Sequence, residues 1–382
     1  MLTARLLNRA RPIRLDEMLK PDRNSFAIVR LIAAFSVLVS HCFFLQSGSA
    51  ASEPLYTSTG YPLGAYAVQV FFVLSGILVS QSLMRAPSLI DFASARALRI
   101  FPALIVCVLA VSLLLGPALS SLSIADYFRN GSLYSYLAKT LSLATGAAEL
   151  PRLFSENPVP GAVNLSLWTL KYEVICYALV AIVGGSLLKY GTRLTLTGAV
   201  LGAWIGVMIF LPPGLGKGNT VIENTHYFLL FFGVGASAYL ARRILRVSVY
   251  GVVLLALAFA VTIGTKWITV TAALCFGYAA IYVASIDLGP VRLFANRYDL
   301  SYGTYIYGVP VTQSLLVLDP TLGVWPLIAL TAVIVLPLAL LSWIFIERPA
   351  QAFRPRIGHF LTGLRQPTHH SPRSASIKQE AG

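Results

Sequence analysis

The chain has 382 residues, of which 57% are hydrophobic and 12% charged, and its formal net charge at pH 7 is +14. Soluble domains carry about 25% charged residues, so this composition excludes an ordinary soluble protein and a disordered chain. The positive charge does not indicate a nucleic-acid partner, because the basic residues are spread between apolar runs and are not gathered on one face. We therefore predict an all-α, polytopic membrane protein.

Ten apolar segments predict transmembrane helices, each close to the length of about 20 residues that a bilayer core requires. In chain order they are 26–46, 64–83, 101–120, 164–188, 194–211, 225–241, 247–264, 267–287, 298–318 and 322–346. They predict a membrane domain over 26–350, preceded by a basic segment, 1–25, and followed by a polar, disordered tail, 351–382.

The distribution of Lys and Arg predicts the orientation of these spans. With the N-terminus inside, 22 of the 29 Lys and Arg residues lie in inside segments and 5 lie in outside loops. Cytoplasmic loops of membrane proteins carry an excess of these residues, so both termini are expected in the cytoplasm. An even number of spans agrees with this orientation.

The first predicted span carries two ionisable residues, Arg30 and His41. An ionisable side chain at the centre of a membrane costs about 2.5–3.5 kcal/mol, so each is a functional candidate. Their separation is about three helical turns, which places both on one face roughly 16 Å apart. Histidine titrates nearest to neutral pH and can act as a general base on a hydroxyl. Taken alone, the pair has a structural interpretation that is as good as the functional one. Arg30 would extend its charged end to the membrane surface, and His41 would hydrogen-bond to a neighbouring helix.

The second span contains Ser75 and Gly76 in the stretch FFVLSG, with Gln69 before them. Small residues allow two helices to approach closely, so we interpret Ser75 and Gly76 as a packing site. The buried amide of Gln69 requires a hydrogen-bonding partner.

Arg96 and Arg99 precede the third span on its cytoplasmic side. They lie in an amphipathic stretch, 84–100, that we expect to follow the membrane interface. Three residues apart on a helix, they form a basic edge suited to phosphate groups. Their spacing alone favours the simpler interpretation of positive-inside charge that binds anionic lipid.

Glu173 lies in the fourth span, which is predicted to run inward from the outer surface. Helical rise places it about 13 Å deep, close to the level of His41. A carboxylate there could orient an imidazole and stabilise its protonated form. The alternative is an ion pair with Lys171, although residues two apart point to different sides of a helix.

The ninth span contains Tyr302 and Tyr305 in the stretch SYGTYIYG, followed by Pro310. Hydroxyl groups and a proline-loosened backbone at membrane depth are typical of helices that line a cavity. A packed aromatic interior is an equally good interpretation.

Taken together, these stretches resemble the acyltransferase-3 family of bacterial integral membrane acyltransferases. The similar residues are Arg30 with His41, FFVLSG at 71–76, Arg96 with Arg99 followed by IFP, LWTLKYE at 167–173, SYGTYIYG at 301–308 and IERP at 346–349. They occur in the family's order over residues 26–350. One departure is Gln69, where many members of the family have an acidic residue.

The resemblance implies a ten-span enzyme that moves an acyl group, commonly acetyl, from cytoplasmic acyl-CoA to a hydroxyl of an extracytoplasmic carbohydrate. His41 would then be the essential base, with Glu173 at the family's acidic position. Arg30, Arg96 and Arg99 would bind the acyl donor, and Tyr302 and Tyr305 are the candidates for substrate contact. The expected partners are acyl-CoA, a carbohydrate or lipid-linked glycan acceptor, and membrane lipid of a bacterial cytoplasmic membrane.

No permanently bound cofactor is expected, because acyl-CoA is a substrate. The four cysteines show no paired spacing, so neither a disulfide framework nor a metal site is expected. The outside loop 121–163 is expected to contain an amphipathic helix and to influence the choice of acceptor.

The alternative function is a proton-coupled secondary transporter or a flippase for lipid-linked sugars. His41 and Glu173 would then be proton-relay groups. Such a transporter needs no cytoplasmic phosphate site, so removal of charge at Arg96 and Arg99 would spare transport but abolish acyl transfer.

Overall fold

The computed structural model describes residues 12–20, 23–86, 88–145, 149–189 and 220–353. Within these ranges the chain is almost entirely helical. The one sheet found there pairs two residues of β1, Ile13–Arg14, antiparallel with two residues of β2, Arg246–Val247. The all-α prediction is confirmed.

The described helices differ widely in length, and the long ones form a bundle. In chain order they are α1 (Leu15–Met18), α2 (Phe26–Ser47), α3 (Tyr56–Thr59), α4 (Leu63–Arg85), α5 (Leu89–Ala110), α6 (Gly116–Leu119), α7 (Ile124–Arg129), α8 (Gly131–Leu141), α9 (Leu170–Lys189), α10 (Val221–Leu240), α11 (Val249–Thr262), α12 (Ile268–Ala284), α13 (Pro290–Arg297), α14 (Ser301–Leu318), α15 (Val324–Ser342) and α16 (Arg348–Ala352). Short π-helical stretches, Val111–Leu115 and Trp343–Glu347, join α5 to α6 and α15 to α16. A 3₁₀ helix, Leu165–Thr169, leads directly into α9.

Nine of the ten predicted spans coincide with helices in the described ranges, and the tenth, 194–211, lies outside the described residues. Five helical stretches there are long and apolar enough to cross a membrane, judged by length and composition: Phe26–Ser47, Leu63–Arg85, Leu89–Leu119, Leu165–Gly184 and Val324–Ala352. These helices support an integral membrane protein. The number of ten spans, the cytoplasmic termini and the domain limits stay predictions, and most of the predicted tail lies outside the described residues.

The third span begins earlier than predicted. Helix α5 starts at Leu89, and the side chain of Ser88 caps it by accepting a hydrogen bond from the backbone N–H of Asp91. The stretch that was expected to follow the interface is therefore continuous with the third span. Arg96 and Arg99 consequently lie on a helix that packs into the bundle.

Helix α4 lies at the centre of the bundle, with α2 on one side and α10 on the other. Its contact with α10 is close because both helices carry glycine there. A Cβ atom on Gly76 would lie 2.0 Å from the carbonyl oxygen of Phe232, and one on Gly235 would lie 1.9 Å from that of Val73. The prediction that Gly76 marks a close helix approach is confirmed.

The substitution Gly76→Ala is expected to force α4 and α10 apart and to lower the free energy of unfolding by about 1–3 kcal/mol or more. The effect is measured as the midpoint of thermal unfolding in detergent, with size-exclusion chromatography as the readout. The matched control is Gly131→Ala at the start of α8, where an added Cβ meets nothing within 4 Å. Equal midpoints for the two variants would contradict the close contact.

The part of the loop 121–163 that was predicted as one amphipathic helix forms two short helices, α7 and α8, which pack onto the bundle. The hydroxyl of Tyr127 in α7 donates a hydrogen bond of 2.8 Å to the carbonyl of Ser112, inside the first π-helical stretch. The ring of Tyr127 occupies the space beside Gly116, where a Cβ would lie 1.9 Å from the tyrosine hydroxyl. This contact ties the loop to the end of α5 and α6.

Candidate active site

A cavity of about 90 Å³ lies in the middle of the bundle, between α2, α4, α5, α9 and α14. Its lining extends from Arg30, near the start of α2, to Thr169, at the end of the 3₁₀ helix that leads into α9. Its polar lining comes from five separate segments: Arg30, Ser75, Arg96, Arg99, Thr169, Glu173, Tyr177, Ser301, Tyr302 and Tyr305. Six of the seven site residues predicted from the sequence therefore line one cavity. His41 is not among the residues that line it.

Two of the three cavity arginines are paired with acidic residues. Nη1 of Arg30 and Nη2 of Arg99 each lie 2.8 Å from the same oxygen of Asp299, Oδ2. Nη1 of Arg99 also lies 3.2 Å from Oε2 of Glu347, whose side chain is only 1% exposed. This network links α2, α5, the start of α14 and the second π-helical stretch.

The two acidic residues of the network are held by serine hydroxyls. The hydroxyl of Ser301 donates to Oδ1 of Asp299 at 2.6 Å, and its backbone N–H donates to the same oxygen at 3.2 Å. The hydroxyl of Ser342 donates to Oε1 of Glu347 at 3.2 Å. Each buried carboxylate thus has both a cation and neutral donors, as a buried charge requires.

Arg96 differs from the other two arginines. Among the described residues, no carboxylate lies within 4 Å of its guanidinium nitrogens, and its buried Nε atom has no hydrogen-bond partner. The guanidinium lies 5.9 Å from the centre of the Tyr177 ring, a cation–π distance. Among the described residues, Arg96 is therefore the cavity arginine that lies against Tyr177 and has no paired carboxylate.

Glu173 lies in the cavity beside these groups. Its Oε1 accepts a hydrogen bond of 3.2 Å from the hydroxyl of Ser75 and a second, short one from the hydroxyl of Tyr177. Lys171 does not pair with Glu173, because its ammonium donates instead to the carbonyl of Ala144 at 3.1 Å. The alternative interpretation of Glu173 as half of that ion pair is thus not realised, and Ser75 contributes a hydroxyl to the site as well as packing.

The two candidate tyrosines line the cavity with their rings, while their hydroxyls are bonded to the protein. The hydroxyl of Tyr302 donates to the carbonyl of Ile100 at 2.9 Å. The hydroxyl of Tyr305 donates to the carbonyl of Ser166 at 2.5 Å and lies 2.6 Å from the hydroxyl of Thr169. These bonds fix α14 against α5 and against the 3₁₀ helix.

His41 lies farther along α2, on the helical face that also carries Arg30. The residue before it, Ser40, is fully buried and bonds to Glu53 in the loop between α2 and α4, while Cys42 after it lies 3.6 Å from the hydroxyl of Thr312 in α14. The role of Glu173 in orienting the imidazole of His41 stays a prediction.

A carboxylate in the loop between α2 and α4, that of Glu53, bonds to Ser40, the residue before His41. The hydroxyl of Ser40 donates a short hydrogen bond to Glu53, and it accepts one of 2.9 Å from the backbone N–H of Gly64. Burial raises the pKa of the Glu53 carboxyl above its usual range. The loop between α2 and α4 is thereby attached to both helices at the level of His41.

A second cavity, of about 290 Å³, adjoins the first and shares Arg30 and Leu78 with it. It lies at the end of the bundle where α2 begins, and its polar lining consists of Asn24, Arg30, Gln81, Asn296, Asp299 and Trp343. The amide of Gln81 donates to the carbonyl of Leu19, which ties the N-terminal segment to α4 beside this cavity.

The sequence marks Asp299 as an ionisable residue near the inner edge of the membrane and Glu347 as part of the IERP stretch, but it assigns neither a role in the site, and it does not mark Tyr177. The available signal was charge balance: arginines buried in a membrane need acidic partners, and both acids lie in apolar surroundings near the predicted inner surface. Tyr177 lies one helical turn after Glu173, so helical spacing alone could have paired them.

Gln69 has the hydrogen-bonding partner that was expected for its amide. Its Nε2 donates to the hydroxyl of Tyr227 at 2.8 Å, whereas its Oε1 is buried and has no hydrogen-bond partner. It lies outside the set of residues that line the first cavity.

Comparison with known proteins connects this architecture to a family. The family model of the acyltransferase domain matches residues 23–347. An O-acetyl transferase of Shigella phage Sf6 is 32% identical over 335 residues, which cover 85% of this chain and 95% of the phage protein. Nodulation protein 10 of Rhizobium leguminosarum bv. viciae is 29% identical over 372 residues, which cover 87% of this chain and 94% of that protein. No solved structure matches the chain.

Proposed function

The chain belongs to the acyltransferase-3 family and is an acyltransferase, and from that premise we propose a specific reaction for it. It transfers an acetyl group from cytoplasmic acetyl-CoA to a hydroxyl of an extracytoplasmic carbohydrate or lipid-linked glycan. His41 acts as the general base, and the enzyme works in a bacterial cytoplasmic membrane. The similar phage protein named as an O-acetyl transferase supports acetyl as the transferred group.

The proposal depends above all on the convergence of three arginines and Glu173 in one central cavity. These residues lie on α2, α5 and α9. Burying so many charged groups in a membrane protein costs free energy, so their presence indicates a functional site. Arginine is suited to phosphates and carbonyl oxygens because its guanidinium presents several donors in a rigid plane. An acyl-CoA donor carries both kinds of group.

The size of the cavity favours a short acyl group. A cavity of about 90 Å³ has room for a small group such as an acetyl with its thioester. The nucleotide part of the donor would occupy the wider second cavity, which shares Arg30 and Leu78 with the first.

In the proposed reaction the acceptor approaches from the side of the membrane opposite to acetyl-CoA. His41 takes the proton from the acceptor hydroxyl, whose oxygen attacks the thioester carbonyl carbon as the carbon–sulfur bond breaks. Coenzyme A leaves as its thiol after taking up that proton. Glu173 supports the charge that develops on the imidazole, as in other base–carboxylate pairs.

Transfer from acetyl-labelled acetyl-CoA in inverted membrane vesicles tests this function. Vesicles with the wild-type protein are expected to move label into a glycan or glycolipid fraction. The variant Glu173→Gln is expected to lower the rate by about 10²-fold or more, as loss of a general acid–base partner does.

The control for this assay is Glu156→Gln in the exposed part of the outer loop, which removes the same charge away from the cavity and should leave the rate unchanged. No transfer of label by the wild-type protein with any glycan-containing membrane would refute the proposed reaction. Full activity of Glu173→Gln would remove Glu173 from the mechanism.

A further inference from the structure

The loop between α2 and α4, residues 48–62, carries a carboxylate that the proposed mechanism does not use. Glu53 is partly buried, and Oε2 of its carboxylate accepts the hydrogen bond from the hydroxyl of Ser40. Within the described ranges nothing bonds to its other oxygen, Oε1, and this atom is open to solvent. The carboxylate therefore has one oxygen fixed by the protein and one oxygen free for a ligand.

The fixed oxygen places Glu53 beside the proposed base. Ser40 immediately precedes His41 in α2, and consecutive Cα atoms are only about 3.8 Å apart. Ser40 is fully buried and also accepts the backbone N–H of Gly64, so the carboxylate is held against both α2 and α4. Among the described residues no Lys, Arg or His nitrogen, that of His41 included, lies within 4 Å of the Glu53 carboxylate. Glu53 is thus a neighbour of the base but not its ion-pair partner.

The backbone that carries Glu53 forms a strained and well-anchored turn. Glu53 begins a β-turn, in which the N–H of Tyr56 donates to the carbonyl of Glu53 at 3.2 Å. The carbonyl of Pro54 accepts a bond of 2.9 Å from the N–H of Leu63, at the start of α4. Leu55, the third residue of the turn, has a φ of 70°, in the left-handed region that favours glycine. Such strain persists only where the surroundings fix the backbone, and it concentrates at ligand sites.

The turn presents an aromatic ring together with the open carboxylate oxygen. Tyr56 is exposed, and the first and last residues of a β-turn have Cα atoms less than about 7 Å apart. One sugar ring therefore fits against both side chains. Its hydroxyls donate to a carboxylate, and its apolar C–H face packs on a tyrosine ring. A phospholipid headgroup fits this site less well, because its phosphate and the carboxylate are both negative.

We propose that Glu53 and Tyr56 form a binding subsite for the acceptor carbohydrate. Oε1 of Glu53 accepts a hydrogen bond from a second hydroxyl of the sugar whose neighbouring hydroxyl is acetylated, and the ring of Tyr56 packs on the sugar. The subsite holds the sugar next to His41, on the acceptor side of the reaction. It rests on the proposed function, because it takes the acceptor to be a carbohydrate that reaches this base.

The test titrates the acceptor while the donor is saturating. Full-length protein in detergent receives labelled acetyl-CoA and graded amounts of the glycolipid fraction extracted from bacterial membranes. Glu53→Gln is expected to raise the apparent KM for the glycolipid about tenfold or more, because it removes a hydrogen bond to a charged group. The kcat and the Kd for labelled CoA stay within about twofold of wild type. Glutamine keeps an oxygen for the bond from Ser40, so the loop stays attached.

A second variant tests the aromatic part of the subsite. Tyr56→Leu keeps an apolar side chain that can contact lipid but removes the ring, and it is expected to raise the same KM about threefold or more. The matched controls are Asp319→Asn in the exposed loop after α14 and the exposed Tyr250→Leu in α11. Both controls should leave the KM for the glycolipid unchanged.

Unchanged KM in either Glu53→Gln or Tyr56→Leu would overturn the proposal, and for Tyr56 it would indicate a contact with lipid only. A reduced kcat with unchanged KM in Glu53→Gln would overturn it as well and make Glu53 a positioning residue for His41. If Glu53→Gln unfolds below the wild-type temperature, the exposed Tyr56→Leu decides the question. Failure of the wild-type protein to transfer label to any glycolipid fraction would instead refute the proposed function.

Discussion

Replacement of Asp299 by asparagine is expected to lower the free energy of unfolding by about 3–5 kcal/mol, the cost of removing one partner from a buried ion pair. Asp299 accepts both Arg30 and Arg99 at 2.8 Å, and its side chain is only 14% exposed. The neutral amide keeps the shape of the side chain but leaves two cations with the single remaining acid, Glu347. The thermal unfolding midpoint of the purified protein in detergent measures this loss.

A second Asp–Arg pair in the chain is the control for this prediction. Asp287 lies 3.3 Å from Arg292, but its side chain is 68% exposed. Because exposed pairs contribute about 0–1 kcal/mol, Asp287→Asn should shift the midpoint little. Equal shifts for the two variants would show that the Asp299 network is not a stabilising element of the bundle.

The substitution His41→Ala is expected to lower the rate of acetyl transfer by about 10²–10⁴-fold, the usual contribution of a general base. The affinity for CoA should be unchanged, because His41 does not line the cavity that holds the three arginines. The initial rate in inverted vesicles and the Kd for labelled CoA are the two measurements. Their divergence distinguishes a base that acts on the acceptor from a residue that binds the donor.

The control for His41 is His226→Ala in α10, which removes an imidazole from a neighbouring helix and is expected to leave the rate unchanged. A fully active His41→Ala together with an inactive Glu173→Gln would identify Glu173 as the base. Glu173 is the only carboxylate of the described residues that lines the first cavity, so this outcome would place proton transfer inside it.

The arginines of the cavity differ in their partners, and this difference affects how rigid each part of the site is. In the network around Asp299 and Glu347, charge is balanced within the protein, so this part of the site is expected to keep its geometry with or without donor. Among the described residues Arg96 has no carboxylate within 4 Å, and its guanidinium lies against the ring of Tyr177 instead.

The helical spans were predictable because they depend on local properties of the chain. In a bilayer every backbone polar group needs a partner inside the protein, so an apolar run of about 20 residues forms a helix wherever it occurs. The start of α5 was not predictable in this way. Arg96 and Arg99 lower the hydropathy of its first half, although the helix begins at Leu89, twelve residues before the predicted start, with Ser88 as its cap.

The candidate residues could likewise be predicted individually, because an ionisable group inside a membrane costs free energy and therefore indicates a function. Their ion-pair and hydrogen-bond partners could not be predicted. Asp299 lies 269 residues along the chain from Arg30, and Glu347 lies 248 residues from Arg99. Helical periodicity assigns a residue to one face of its own helix but does not say which helix that face meets.

The sequence by itself thus determined the class of protein, most of its helices and six residues of one cavity. Only the tertiary structure decided that two arginines are bound by acids while Arg96 lies against Tyr177, and that Glu173 lies with Ser75 and Tyr177. The physical reason is that hydrogen bonds and ion pairs act over about 3 Å, so their partners are chosen by the packing of helices that are distant in the chain.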